Sequence, residues 1–187
     1  PSILLSKRPL FFIIPTAIIV TSLSPHHTQN NSMKPGLILV LLIASPAIFA
    51  QTILVPYGTS WKYLANGSNQ GTAWKETVFS DASWSSGNAQ LGYGDGDEAT
   101  VVGYGSNASN KYVTTYFRKT ISVANASSFT GFTLNLKRDD GAIVYINGTQ
   151  RFRSNMPTGT ISYTTKASTA ASDDGNTVQT ISLPAGT

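Results

Sequence analysis

Asp95, Asp97 and Glu98 stand in the run Gly92-Tyr93-Gly94-Asp95-Gly96-Asp97-Glu98 and place several carboxylate oxygens within four residues. Calcium is the metal that an oxygen-only set of this kind suits. The run lacks the length and the closing Glu of an EF-hand loop. Asp and Gly are also the residues of a solvated turn whose carboxylates cap local amides. Tyr93 and Tyr104 are flanked by glycines, where an aromatic ring can be presented to stack on a pyranose. Arg118, Arg151 and Arg153 offer donors for sugar hydroxyls or solvate a strand face. The candidate ligand-binding residues are therefore Tyr93, Tyr104, Arg118 and Arg151, and the candidate calcium ligands Asp95, Asp97 and Glu98. Trp61, Trp74 and Trp84 sit among aliphatic residues and are expected in the core, as large aromatics usually are.

Catalytic chemistry is poorly supplied. Both histidines, His26 and His27, lie before Ala50 and the chain has no Cys, so the rest lacks the usual general base and thiolate nucleophile. Asp97, Glu98, Asp139 and Asp140 match the carboxylate pair of a glycosidase by residue type alone, with no nucleophile elbow beside them. Gly92-Tyr93-Gly94 and Gly103-Tyr104-Gly105 are followed by no Lys-Ser/Thr and are not phosphate loops. This inventory points to a module that binds or spaces.

The acids divide the chain as well, for every Asp and Glu lies beyond Ala50. Met33 and Lys34 open the apolar run Leu37–Ala44, which is followed by Ser45-Pro46-Ala47-Ile48-Phe49-Ala50. That is the order of a secretory signal peptide: a charged start, a short apolar core and a small residue at the cut. The stretch Gly36–Ala50 falls short of the roughly 20 residues a membrane span needs. Residues 33–50 are thus expected to be a signal peptide, and residues 1–32 an upstream segment that is untranslated or disordered. Residues 51–187 are the module itself, with no membrane contact after cleavage. The formal net charge of +4 owes three of its cations to Lys7, Arg8 and Lys34, so it is no argument for nucleic acid.

Beyond Ala50, Gly, Ser, Thr and Asn punctuate short segments that alternate apolar and polar, and no helix is expected. Val113, Thr115, Phe117, Ile121 and Val123 alternate with Tyr112, Thr114, Tyr116, Arg118 and Thr120; Phe132, Leu134 and Leu136 with Thr133, Asn135 and Lys137. Asp139-Asp140-Gly141 and Asn147-Gly148 bracket Ala142–Ile146 with turn residues. A strand is predicted there, paired with 132–137 on one side and 149–153 on the other. The fold class is all-β, an antiparallel two-sheet β-sandwich of jelly-roll type.

The order of motifs carries a resemblance. Trp61-Lys62-Tyr63-Leu64, Asn66-Gly67, Phe79-Ser80-Asp81, Leu91-Gly92-Tyr93-Gly94-Asp95-Gly96-Asp97-Glu98, Thr114–Lys119, Arg138–Gly141 with Tyr145-Ile146-Asn147-Gly148, and Asn155-Met156-Pro157 together resemble the galactose-binding-like jelly-roll modules of secreted bacterial proteins. The resemblance runs from about Tyr57 to the end. It implies an accessory β-sandwich without catalysis of its own, set beside hydrolase or surface-display domains in proteins of Bacteroidetes type. Members continue past a segment like Ile181–Gly186 into one more strand, so the module is expected to lack its last strand at Thr187.

The function expected is that of a non-catalytic, secreted or cell-surface module that binds glycans or positions covalently linked downstream domains. Two other readings stand beside it: the N-terminal part of a secreted hydrolase whose catalytic domain lies beyond Thr187, and a purely structural or adhesive module. Export from a bacterial host followed by mass spectrometry is expected to show a chain that begins at Gln51. An intact leader held in the inner membrane would refute the signal peptide.

Overall fold

A computed structural model describes residues 2–6, 17–22, 51–94 and 96–184. Twelve strands are present among them: β1 Ser2–Ser6, β2 Ala17–Ser22, β3 Gln51–Val55, β4 Ser60–Leu64, β5 Ser85–Asn88, β6 Leu91–Gly92, β7 Thr100–Val101, β8 Thr114–Arg118, β9 Phe129–Lys137, β10 Gly141–Ile146, β11 Thr149–Ser154 and β12 Val178–Pro184. The only described helical turns are short 3-10 segments at Ala73–Lys75 and Ala126–Ser128. The architecture is all-β, with a six-stranded antiparallel sheet ordered β11-β10-β1-β8-β4-β5 and a four-stranded antiparallel sheet ordered β12-β9-β2-β3. A small parallel pair, β6-β7, lies apart from both.

The main core takes side chains from both sheets. Val55, Leu134, Leu136 and Leu183 of the four-stranded sheet meet Trp61, Phe117, Ala142 and Val144 of the six-stranded one. Period-two alternation then sends Tyr116 and Ile143 to the opposite face of the larger sheet, where they join Trp74, Trp84, Met156 and Ala167 in a second apolar cluster. Both faces of β8 and β10 are therefore covered, and all five residues of β8 are buried. The alternation read from the sequence at 112–123 holds over Thr114–Arg118. Its polar-looking face is buried too, under the loop that carries Trp74.

Two differences from the sequence reading concern pairing. The predicted hairpin at Asn147-Gly148 is present, with φ of 50° and 79° at the two central residues, as a type I′ turn requires. The predicted pairing of 141–146 with 132–137 is not. β9 and β10 belong to different sheets, and the neighbours of β10 are β11 and β1. At the turn between them Asp140 has φ of 52° and Gly141 does not follow in the left-handed region, while the Asp139 carboxylate accepts the Asp140 N–H at 2.8 Å. One left-handed residue turns the chain across to the other sheet, whereas folding back in the same sheet through a type I′ turn needs two.

The second difference lies upstream. Residues 1–32 were expected to be an untranslated or disordered segment; its described parts, Ser2–Ser6 and Ala17–Ser22, place β1 between β8 and β10 and β2 between β3 and β9. β1 pairs Leu4 with Tyr116 on one side and Ile143 on the other. The apolar runs Ile3-Leu4-Leu5 and Ala17-Ile18-Ile19-Val20 have the composition of interior strands, which targeting logic had set aside. The segment assigned to a signal peptide, residues 33–50, lies outside the described residues.

Gly148 combines a φ of 79° with a close approach, since a Cβ there would stand 2.4 Å from Glu76 Oε2. Gly148→Ala is expected to cost about 1–3 kcal/mol through left-handed strain and displacement of Glu76. Thermal unfolding followed by circular dichroism measures it, and an unchanged midpoint would show that the turn relaxes freely.

Candidate functional site

The second core cluster opens into a cleft of about 400 Å³, lined among others by Trp74, Lys75, Tyr116, Tyr145, Arg153 and Tyr163. Its floor is the outer face of the six-stranded sheet. Ile143 stands opposite Arg153 in the β10–β11 pair, so Ile143, Tyr145 and Arg153 share that face. Trp74 packs edge-on against Tyr116 with ring centroids 5.0 Å apart, and against Tyr145 at 5.5 Å and 85°. The Lys75 ammonium lies 5.0 Å from the Tyr145 ring centroid.

Polar bonds hold the walls. Arg153 donates to the carbonyls of Pro157 at 2.6 Å and Gly159 at 3.1 Å, and to Gln150 Oε1 at 2.8 Å. The Thr114 hydroxyl donates to the Tyr163 carbonyl at 2.7 Å and so ties the far wall to β8. The Tyr116 hydroxyl accepts the Gln70 N–H at 3.4 Å. Burial pushes the Tyr116 hydroxyl above the usual tyrosine pKa, against the Gln70 bond. Burial raises Tyr145 as well, opposed by the nearby Arg153 charge. Both rings remain neutral hydroxyl donors and acceptors at physiological pH.

A second cleft of about 310 Å³ lies at the end of the sandwich between Leu54, Ile121, Phe132 and Ile146, with Glu76 and Lys119 at its edge. Burial lowers the Lys119 pKa, and its ammonium donates to the Ser60 carbonyl at 2.7 Å. Its lining mixes these apolar side chains with Lys75, Thr77, Arg118 and Thr120, and Phe132 is its one aromatic residue. The first cleft is the one with several aromatic side chains beside hydrogen-bonding groups, the composition of a specific small-ligand site.

The residues singled out from sequence are not gathered into one site. Tyr93 is buried, at 4% exposure, and packs on Tyr104 with centroids 4.7 Å apart. Lys111 lies over the two rings at 4.8 and 5.1 Å; Tyr93 is the buried member of this cluster, whereas Tyr104 is exposed at 36%. Arg118 is no rim residue. It is 5% exposed, pairs with Asp81 at 3.0 Å, and donates to the carbonyls of Trp74, Glu76 and Phe79. Arg151 is the extra residue where the β10–β11 register shifts between Val144 and Tyr145, and it lines neither cleft.

Asp95 lies outside the described residues. Asp97 accepts from Gln90 Nε2 at 2.7 Å and pairs with Lys137 at 3.4 Å, while Glu98 accepts the Gly96 N–H at 3.0 Å. Glu98 thus caps a local amide while Asp97 ties the loop to Gln90 and Lys137, and no group of three or more metal-binding side chains occurs among the described residues. Asp139 and Asp140 are buried in the turn between the sheets. Trp61, Trp74 and Trp84 are buried, as expected. Tyr163 and Lys75 carried no signal in the sequence; Tyr145 did, because it alternates with Val144 and Ile146 on the face it shares with Ile143.

No protein-family model, curated protein or solved structure matches the chain.

The raised tyrosines make stability depend on alkaline pH. A pKa that is higher in the folded state than in the unfolded one means that the folded chain keeps its proton longer. The stabilisation is complete below the ordinary tyrosine value near 10 and is lost as pH rises through the folded value. Unfolding midpoints are expected to fall from about pH 10 upward, and Tyr116→Phe to reduce the slope. A slope that Tyr116→Phe leaves unchanged would remove Tyr116 as its source.

Proposed function

We propose that the chain is a non-catalytic accessory module of an exported or cell-surface protein, and that it binds glycans in the Tyr145–Tyr163 cleft. The observation that carries the reading is the meeting of Trp74, Tyr116, Tyr145 and Tyr163 with Arg153 and Lys75 in one concave site of about 400 Å³. Apolar ring surface suits the C–H faces of a sugar, and neutral hydroxyls and fixed cations suit its oxygens. Arg153 spends three N–H bonds on Pro157, Gly159 and Gln150, and a guanidinium has five donors, so two remain for a ligand. The resemblance to galactose-binding-like modules supports the same reading. In it the module serves covalently linked neighbours and does not handle nucleic acid.

The reading is tested by calorimetric titration of galactosides and a panel of bacterial and plant oligosaccharides. Binding is expected for at least one of them. Tyr145→Ala should weaken it about 5- to 30-fold, the usual range for loss of an aromatic anchor worth about 1–2 kcal/mol. Arg153→Lys, which keeps the charge and loses the planar fork, should weaken it too. Binding untouched by both substitutions would move the site elsewhere, and silence across the panel would overturn the glycan reading.

A further inference from the structure

The strands on the N-terminal side of Gln51 occupy interior positions. β1 runs antiparallel to both β8 and β10, and β2 antiparallel to both β3 and β9. Without β1 its neighbours would face each other across a slot two strand spacings wide, about 9–10 Å, too wide for direct hydrogen bonds. With Ser2–Ser6 in place, all of β8 and the first four residues of β10 are buried. Buried N–H and C=O groups are almost always paired, and here the pairing comes from Ser2–Ser6. In the smaller sheet β3 reaches β9 only through β2.

We propose that the described strands from Gln51 onward form a strand acceptor with one slot in each sheet, and that Ser2–Ser6 and Ala17–Ser22 of the same chain are its donors, held by backbone pairing and not by the peptide link. The donor sequence fits the slots. Ile3-Leu4-Leu5 is a continuous apolar run, as suits a strand inserted into a sheet whose two faces are both covered. Ala17-Ile18-Ile19-Val20 is rich in β-branched residues. Scission of the Ala50–Gln51 bond cuts the connection between β2 and β3 at the first residue of β3, where Gln51 pairs with Thr21, and leaves the pairs of Ile18, Ile19 and Val20 intact. The slots are therefore a peptide-binding surface of the β-augmentation kind, specific for extended apolar segments antiparallel to both neighbours.

The test uses the full chain with a protease recognition sequence inserted after Asn30, folded first and nicked afterwards. The two fragments are expected to co-elute on size exclusion and to unfold together near the midpoint of the uncut protein. A mass-labelled peptide of residues 1–24 should then exchange into the nicked complex. The same peptide carrying Leu4→Pro and Ile19→Pro should not, because proline removes a ladder N–H from each strand. Release of the N-terminal fragment by a body that keeps its midpoint and its amide protection at Tyr116 and Ile143 would overturn the proposal. Equal exchange of the proline peptide, or self-association of the released body that the native peptide fails to reverse, would overturn it as well.

Discussion

A buried guanidinium organises one whole face of this molecule. Arg118 closes the central strand β8 and turns away from the main core toward the loop at 74–81. There it pairs with Asp81 and satisfies the carbonyls of Trp74, Glu76 and Phe79. A cation this buried is tolerable because its planar fork of donors is met on several sides by a carboxylate and by carbonyls that would otherwise be short of partners. The ring of Phe79 lies 5.2 Å from its central carbon and completes the enclosure. The consequence is geometric: the loop is drawn down onto the sheet, and Trp74 is delivered against Tyr116 and Tyr145.

A second polar anchor secures the opposite side of that face. Asp140, buried at the turn between the sheets, accepts the Ala171 N–H with its carboxylate and the Asn155 amide with its carbonyl. Asn155 also reaches the Thr169 carbonyl and accepts the Ser168 N–H. Gly141 has no room for a side chain, since a Cβ would meet Met156 Sδ at 2.5 Å and the Asn155 carbonyl at 3.0 Å. These contacts bring Met156 and Ala167 onto Ile143. The larger sheet is thus sandwiched twice, by the smaller sheet on one side and by two tethered loops on the other.

The aromatic cleft lies between the two tethered loops. Its side chains come from segments far apart in the chain, Lys75 and Trp74 from one loop, Tyr163 from the other, and Tyr116, Tyr145 and Arg153 from the strands beneath. Because hydrogen bonds tether both walls to the sheet, the site is formed before any ligand arrives, and a preformed site binds with less ordering cost. The same enclosure explains the neutral, high-pKa tyrosines and makes the rings hydrogen-bonding groups and not charges.

Period-two alternation, turn residues and the absence of helical spacing were enough to identify an all-β sandwich and the strands around Phe117, Leu134, Ile143 and Leu183. The Asn147-Gly148 hairpin was legible for the same reason, because its two left-handed residues are a local requirement that local sequence meets. Buried tryptophans followed from size and apolarity. Composition could not say which exposed-looking face would be covered, or by which distant loop, so Arg118 read as a rim donor and Tyr93 as a stacking platform. The places of β1 and β2, the crossing at Asp139-Asp140 and the assembly of the cleft belong to the tertiary structure alone. Each depends on pairing between segments far apart in sequence, where the burial of one strand's backbone decides what another stretch of chain must do.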